Sequence, residues 1–278
     1  MGGNMKGFLL LLSFMTRIPM PKIDYDEEKL GKSMKLFPLV GIVIGFILLF
    51  FSIVFSYILS NLSFSAFLPI IILVVILTDL ISTGALHLDG LADTFDGIFS
   101  YRSKHKMLEI MKDSRLGSNG ALALILYFLI KFVLLYSLLM EDQGETVFAV
   151  LTYPVVARLC SVISCASAPY ARGSGMGKTF VDNTKASGVI IASLITVVYS
   201  SAMLYHITFP HALPSDLVIR KLGVNLLIIA ILGLFAYAFS KLIERKIGGI
   251  TGDTLGALLE ISSLVYLFLI IVVPTFFL

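Results

Sequence analysis

Tryptophan is absent from this sequence and charge is scarce: only 14% of the 278 residues are Asp, Glu, Lys or Arg. A soluble domain carries about 25% charged residues. With 58% apolar residues and a mean hydropathy of +0.96, the chain is excluded from the soluble globular class. Without Trp, the 11 tyrosines must supply the interfacial anchoring that the two residue types usually share. Cysteine is almost missing too. Cys160 and Cys165 lie five apart in one apolar run, on different sides of a helix, which excludes a disulfide or a paired thiolate metal site between them. The apolar stretch Phe8–Met15 is followed by Arg17 and Pro19, with no small-residue cleavage site. No cleavable signal peptide is expected, and the stretch reads as an N-terminal interfacial helix too short to span.

What is present is a series of long apolar runs. They predict an all-α polytopic membrane protein, because lipid tolerates only backbones whose hydrogen bonds close internally. Seven spans are expected: Leu36–Leu59, Phe67–Leu88, Gly120–Met140, Thr146–Ala168, Ser187–Ile207, Leu217–Ile243 and Leu255–Pro274. Each suits a hydrocarbon core of about 30 Å. A charged surface helix is expected over Tyr101–Arg115, an acidic turn over Glu141–Glu145, a Gly-rich loop over Tyr170–Asp182 and a proline-broken loop over His206–Asp216. The whole of 1–278 reads as one integral membrane domain. Of the 21 Lys and Arg residues, 18 fall on alternate connections. The positive-inside rule then puts the N-terminus in the cytoplasm and the C-terminus outside. The expected location is the cytoplasmic (inner) membrane, with the chemistry facing the cytoplasm.

That chemistry centres on His87-Leu88-Asp89-Gly90-Leu91-Ala92-Asp93-Thr94-Phe95-Asp96-Gly97. Its three aspartates are spaced i, i+4, i+7 and share one helical face. Three like charges beside a bilayer repel each other and call for divalent cations, Mg²⁺ or Mn²⁺ by the hardness of the oxygen ligands. Gly90 and Gly97 leave the backbone open to close approach. His87 is either a proton acceptor or a hydrogen-bond donor to phosphate, or an ordinary interfacial histidine. Asp113 and Arg115 read as a further metal ligand and phosphate clamp, or as a plain helix end. Asp253 and Glu260 lie seven apart, on one face. Asp253 is a natural helix cap, whereas Glu260 lies two turns deep, where an acid needs a polar cavity or a partner. Gly248, Gly249 and Gly252 precede or open that helix and offer backbone N–H groups to an anion. Arg158 and Arg172 suit phosphate, or snorkel to the headgroups. Lys131 and Asp79, each inside a span, are expected to pair with each other across two helices.

Several of these stretches together resemble the cobalamin synthase (adenosylcobinamide-GDP ribazoletransferase) family. They are Leu12–Pro19, Phe37–Gly41, Thr83-Gly84 with His87–Gly97, Met107–Gly117, Tyr170–Arg172 with Gly175 and Gly177, and Gly248–Glu260, in family order. Lys131 and Arg158 also fall where that family carries such residues. The resemblance implies an Mg²⁺-dependent membrane transferase. Adenosylcobinamide-GDP would supply an activated phosphate, a ribose hydroxyl of α-ribazole or its 5′-phosphate would attack, and GMP would leave. On this reading Asp89, Asp93 and Asp96 hold metal, and Asp113, Asp253 or Glu260 completes the shell. Arg115, Arg158 and Arg172 steady phosphate charge, Lys131 belongs to the catalytic set, and Tyr170 lines the substrate site with the glycines. Asp96 or His87 accepts the hydroxyl proton. The bilayer is a partner, no nucleic acid is, and oligomerisation is left open.

Three rivals stand beside this reading. A CDP-alcohol phosphotransferase shares Asp93-x-x-Asp96-Gly97 but needs a later acidic pattern that the chain lacks. A secondary transporter would place its acids at the midplane. A non-catalytic corrinoid-binding scaffold would not require three aspartates on one face.

Overall fold

The computed structural model describes residues 3–208 and 214–277, all helix and connecting loop apart from one isolated bridge between Tyr170 and Ile250. Among the described residues, seven helices are long and apolar enough to cross a membrane. They are α3 (Phe37–Ile58), α4 (Phe64–Thr83), α7 (Ser118–Glu141), α8 (Gln143–Ser167), α10 (Ala186–Thr208), α11 (Ser215–Ile247) and α12 (Gly252–Val272). The shorter helices are α1 (Gly3–Met15), α2 (Glu27–Lys32), α5 (Leu86–Ile98), α6 (Lys104–Ile110), α9 (Met176–Asn183) and α13 (Pro274–Phe277).

Helix α8 is the central pillar: 83% of its apolar window is buried, against 28% for α3 and 22% for α10. The outer helices turn Phe50, Ile81, Val198 and Leu234 outward, as expected where the solvent is lipid and apolar surface need not be hidden. Because lipid supplies no hydrophobic drive between helices, close backbone contact must hold them. Gly41 and Gly45 on α3 provide it. A Cβ there would lie 2.5 Å from the Pro154 carbonyl oxygen and 2.7 Å from that of Leu151, both on α8.

The expected boundaries shift in five places. The second span stops at Thr83, not Leu88, because Gly84 (φ 61°) and Ala85 (φ 60°) both take the left-handed conformation and end it. The aspartate motif therefore sits on its own helix, α5, rather than on the tail of a span. The charged surface helix shrinks to Lys104–Ile110, with Met107 and Met111 buried. The Gly-rich loop is only half loop, since α9 begins at Met176. The acidic turn is a tight joint in which Asp142 caps α8, its side chain accepting from the Glu145 N–H at 2.9 Å. Of the loop expected over His206–Asp216, residues 209–213 lie outside the described residues, and His206 belongs to α10. The short N-terminal helix α1 is more than interfacial, for Leu10, Leu11, Leu12 and Met15 are buried.

Candidate active site

Helices α5 and α12 touch backbone to backbone. A Cβ on Gly90 would lie 2.7 Å from the Asp253 carbonyl oxygen, and one on Gly256 would lie 3.0 Å from that of His87. Two glycines on facing helices thus bring the aspartates of α5 beside Asp253. The helix N-terminus itself is capped by Thr251 and not, as expected, by Asp253. The Thr251 hydroxyl accepts from the Thr254 N–H at 3.2 Å, and the Thr254 hydroxyl accepts from the Thr251 N–H at 2.8 Å. This capping box frees the Asp253 carboxylate to face Arg172, whose Nη2 lies 2.8 Å away.

Arg172 is delivered by the bridge. The Ala171 N–H donates to the Ile250 carbonyl and the Ile250 N–H to the Pro169 carbonyl, both at 2.8 Å. This ties the loop after α8 to the loop before α12. Gly249 makes the approach possible, since a Cβ there would lie 2.3 Å from the Pro169 oxygen. Gly248 is the left-handed cap of α11 (φ 80°). Gly97 packs on Met111. These three glycines thus shape the site's frame, whereas Gly90 and Gly252 line its cavity.

The cavity holds about 440 Å³. Its polar lining includes Asp89, Lys112, Tyr170, Arg172 and Asp253. Its apolar lining includes Phe14, Met15, Met34, Phe37 and Phe180. Asp93 stands within the acid group, half-buried. Burial, and then the charges of Asp89, Asp253 and Asp96, push its carboxyl up to about 7, against the opposing pull of Arg172. His87 is buried and lines the same cavity. Burial, and then the Arg158 charge, push it down to about 3, so it is neutral. Its Nδ1 has no hydrogen-bond partner among the described residues.

The other expected site residues are placed elsewhere. Asp96 accepts from the Gly117 N–H at 2.7 Å and the Gly120 N–H at 2.8 Å, one on each oxygen. It anchors the start of α7, where the helix presents unpaired N–H groups. Asp113 and Arg115 turn outward and pair with each other at 2.6 Å, which holds the Asp113 carboxyl down to about 2. Glu260, Lys131 and Arg158 lie off the cavity lining, inside the helix bundle. Lys131 Nζ donates to Asp79 Oδ2 at 2.6 Å and to the Tyr127 hydroxyl at 2.7 Å. Tyr153 donates to the same Asp79 oxygen at 2.8 Å, and Tyr127 donates to Glu260. The expected Asp79–Lys131 pair across two helices is therefore present. Arg158 donates to the Pro154 carbonyl at 2.8 Å and lies 5.4 Å from the centre of the Phe37 ring.

Lys112 and the apolar wall were not singled out from the sequence. Phe14, Met15 and Phe37 do fall in Leu12–Pro19 and Phe37–Gly41, two stretches whose residue order had no other explanation. Met34 and Phe180 gave no signal, because apolar residues in an apolar chain carry none.

Comparison with known proteins bears on the whole chain. The family model described as cobalamin-5-phosphate synthase matches residues 7–271. The adenosylcobinamide-GDP ribazoletransferase of Fusobacterium nucleatum is 73% identical over 98% of this chain and 99% of its own length. Those of Clostridioides difficile and Clostridium novyi are 39% and 37% identical, each over 95% of this chain and at least 95% of their own length. No solved structure matches the chain. The chain is thus an enzyme of cobalamin nucleotide-loop assembly, built as an integral membrane protein. The family model and these relatives together show that the chain belongs to the cobalamin-5-phosphate synthase family.

Proposed function

We propose that the protein transfers the adenosylcobinamide-phosphate group from adenosylcobinamide-GDP to a ribose hydroxyl of α-ribazole or its 5′-phosphate, releasing GMP. The observation that carries this reading is the cavity, in which a group of carboxylates and two cations meet an apolar wall. Transfer from a diphosphate asks little covalent work of a protein. It asks for charge neutralisation, alignment of the attacking and leaving oxygens, and a proton acceptor.

A divalent cation fits the donor set by charge, since Asp89, Asp93 and Asp253 are hard oxygen donors that repel each other. Among the described residues no group of three His, Cys, Asp or Glu side chains is arranged to hold an ion by itself. Mg²⁺ needs no such group, because it commonly takes one or two carboxylates and fills its shell with substrate phosphate and water. Asp89, Asp93 and Asp253 would hold Mg²⁺, or Mn²⁺ in its place. Bound there, the ion would neutralise the diphosphate and make GMP a better leaving group.

Lys112 and Arg172 face the same space and would steady phosphate oxygens. Asp96 is committed to backbone donors at α7, and His87, held near 3, is a weak base. That leaves the proton acceptor among Asp89, Asp93 and Asp253. The positive-inside census further supports a cytoplasmic orientation of the cavity in the inner membrane.

The test is turnover by purified protein in lipid vesicles, with adenosylcobinamide-GDP, α-ribazole and Mg²⁺. Stoichiometric GMP and a corrinoid carrying the new phosphodiester are expected, with kcat reduced about 100-fold or more in Asp253→Asn. No GMP release by the wild type, or wild-type turnover with unaltered Mg²⁺ dependence in both Asp253→Asn and Asp93→Asn, sinks the proposal.

A further inference from the structure

The cavity lining is of two chemical kinds, and the proposed reaction uses only the polar residues. The apolar lining comes from segments far apart in sequence: Phe14 on α1, Met34 in the turn before α3, Phe37 at the start of α3, and Phe180 on α9. The Phe14 and Phe180 rings lie 5.8 Å apart and tilted. Phe37 lies 6.4 Å from the His87 ring. Met34, Phe37 and Phe180 are at most 3% exposed, yet all three line open space. His87 enters the same space at 6% exposure, and its Nδ1 has no hydrogen-bond partner among the described residues.

Aromatic rings and thioethers around a slot favour a flat ring, which they grip by stacking and sulfur contacts. The volume, about 440 Å³, lies in the range of small-molecule sites and accepts a nucleoside. A corrin with its amide side chains is far larger and must stay outside, reaching in with its diphosphate alone. Three flat bases take part in the proposed reaction, and one of them, the donor's adenine, is carried on the corrin and stays outside with it. Guanine carries donors and acceptors around its edge, and burying it against Met and Phe would leave several unpaired at a cost. A benzimidazole presents one acceptor nitrogen and an apolar edge.

Resting on the proposed reaction, we propose that this apolar pouch is the subsite for the base of the acceptor nucleoside. Phe14, Met34, Phe37 and Phe180 hold the ring, and His87 donates a hydrogen bond to its free ring nitrogen. The ribose then points toward Asp89 and Asp253, where its hydroxyl meets the diphosphate. His87 is on this view a positioning residue for the acceptor and not the base of the reaction.

The test needs no variant to begin with. Free benzimidazole should inhibit the wild-type protein competitively against α-ribazole and not against adenosylcobinamide-GDP. Indole keeps the bicyclic shape but lacks the acceptor nitrogen, and should inhibit about tenfold less well. In Phe180→Ala the KM for α-ribazole should rise about tenfold or more, with the donor KM and GMP inhibition unchanged. Phe180→Leu should fall between the two. Competition of benzimidazole with the donor, or weaker GMP inhibition in Phe180→Ala, overturns the proposal and gives the pouch to guanine. Equal inhibition by indole overturns the His87 contact. If the wild type releases no GMP, the proposed reaction fails separately. Fluorescence titration of benzimidazole onto the protein, displaced by α-ribazole, then still reads the pouch, and no binding there overturns it.

Discussion

Asp93 stands among three other carboxylates, with Arg172 as the nearby cation that opposes them. Its carboxyl, pushed up to about 7, has a consequence for stability that needs no substrate. A group whose pKa is higher in the folded than in the unfolded state favours folding below its unfolded value, near 3.8, and loses that benefit as pH rises through about 7. Metal-free protein should therefore carry a penalty from Asp93 that grows with pH and levels off above about 7. Asp93→Asn removes it. The apparent Tm of the metal-free variant in detergent should exceed the wild type's at pH 8, and the two should converge toward pH 4. Added Mg²⁺ should raise the wild-type Tm at pH 8 and raise the variant's much less, since a ligand stabilises the state that binds it. A variant that melts below the wild type at pH 8, with an undiminished Mg²⁺ shift, contradicts this account of the residue. Such a gain in stability at the expense of function is usual where a site gathers like charges.

At the scale of elements, the joint between α4 and α7 is where the bundle holds charge inside lipid. Asp79, Lys131, Tyr127 and Glu260 form a continuous hydrogen-bonded chain across α4, α7 and α12, and Tyr153 joins it from α8. Lys131 is 2% exposed and Asp79 15%. Removing one partner strands the other. Lys131→Met should cost about 3–5 kcal/mol by leaving Asp79 buried without its cation. Adding Asp79→Asn to Lys131→Met should restore a large part of that loss, because the pair is then replaced by neutral groups. Thermal denaturation of the two single variants and the double variant checks this as a double-mutant cycle. Additive losses would mean that the ion pair does not couple the two helices.

The same elements show what the sequence made legible. Charges inside apolar runs announced that Asp79, Lys131 and Glu260 are buried, and the Asp79–Lys131 pairing followed from there being few charges to choose from. Tyr127 as the partner of Glu260 did not follow, because a tyrosine in a span has many ordinary uses and the two are 133 residues apart. The i, i+4, i+7 spacing identified the acidic face of α5. It could not show that the face rotates past two neighbours, so that Asp93 stays among the acids while Asp96 turns to the start of α7. Nor did the run from Phe67 to Leu88 betray its break at Gly84 and Ala85. Hydropathy is continuous there, and only the left-handed backbone, with the Arg17 N–H donating to the Ser82 carbonyl at 2.8 Å, ends the span.

For the whole molecule, the path of the chain and the distribution of charge make one joint statement. If all seven candidate helices cross, the start of α3 and the end of α12 lie on opposite sides of a bilayer. The side that holds α5, α6, α9 and the cavity also holds 17 of the 21 Lys and Arg residues, Arg158 of the loop census being buried inside α8. On the opposite side, at the start of α11, Lys221 pairs with Glu145 at 2.5 Å, with Arg220 as its neighbour. A fusion of alkaline phosphatase to the C-terminus should accordingly be active, since that enzyme folds only outside the cytoplasm. The same fusion within the loop between α6 and α7 should be silent, and green fluorescent protein at the two positions should give the reverse pattern. Replacing Arg102, Lys104, Lys106 and Lys112 together by glutamine should weaken the bias in the α5–α7 connection and yield mixed topology, because the positive-inside signal is summed over short loops. A silent C-terminal phosphatase would mean an even number of crossings. One of the seven helices would then lie within the membrane without traversing it, and the cavity would have to be assigned its side by the basic loops alone.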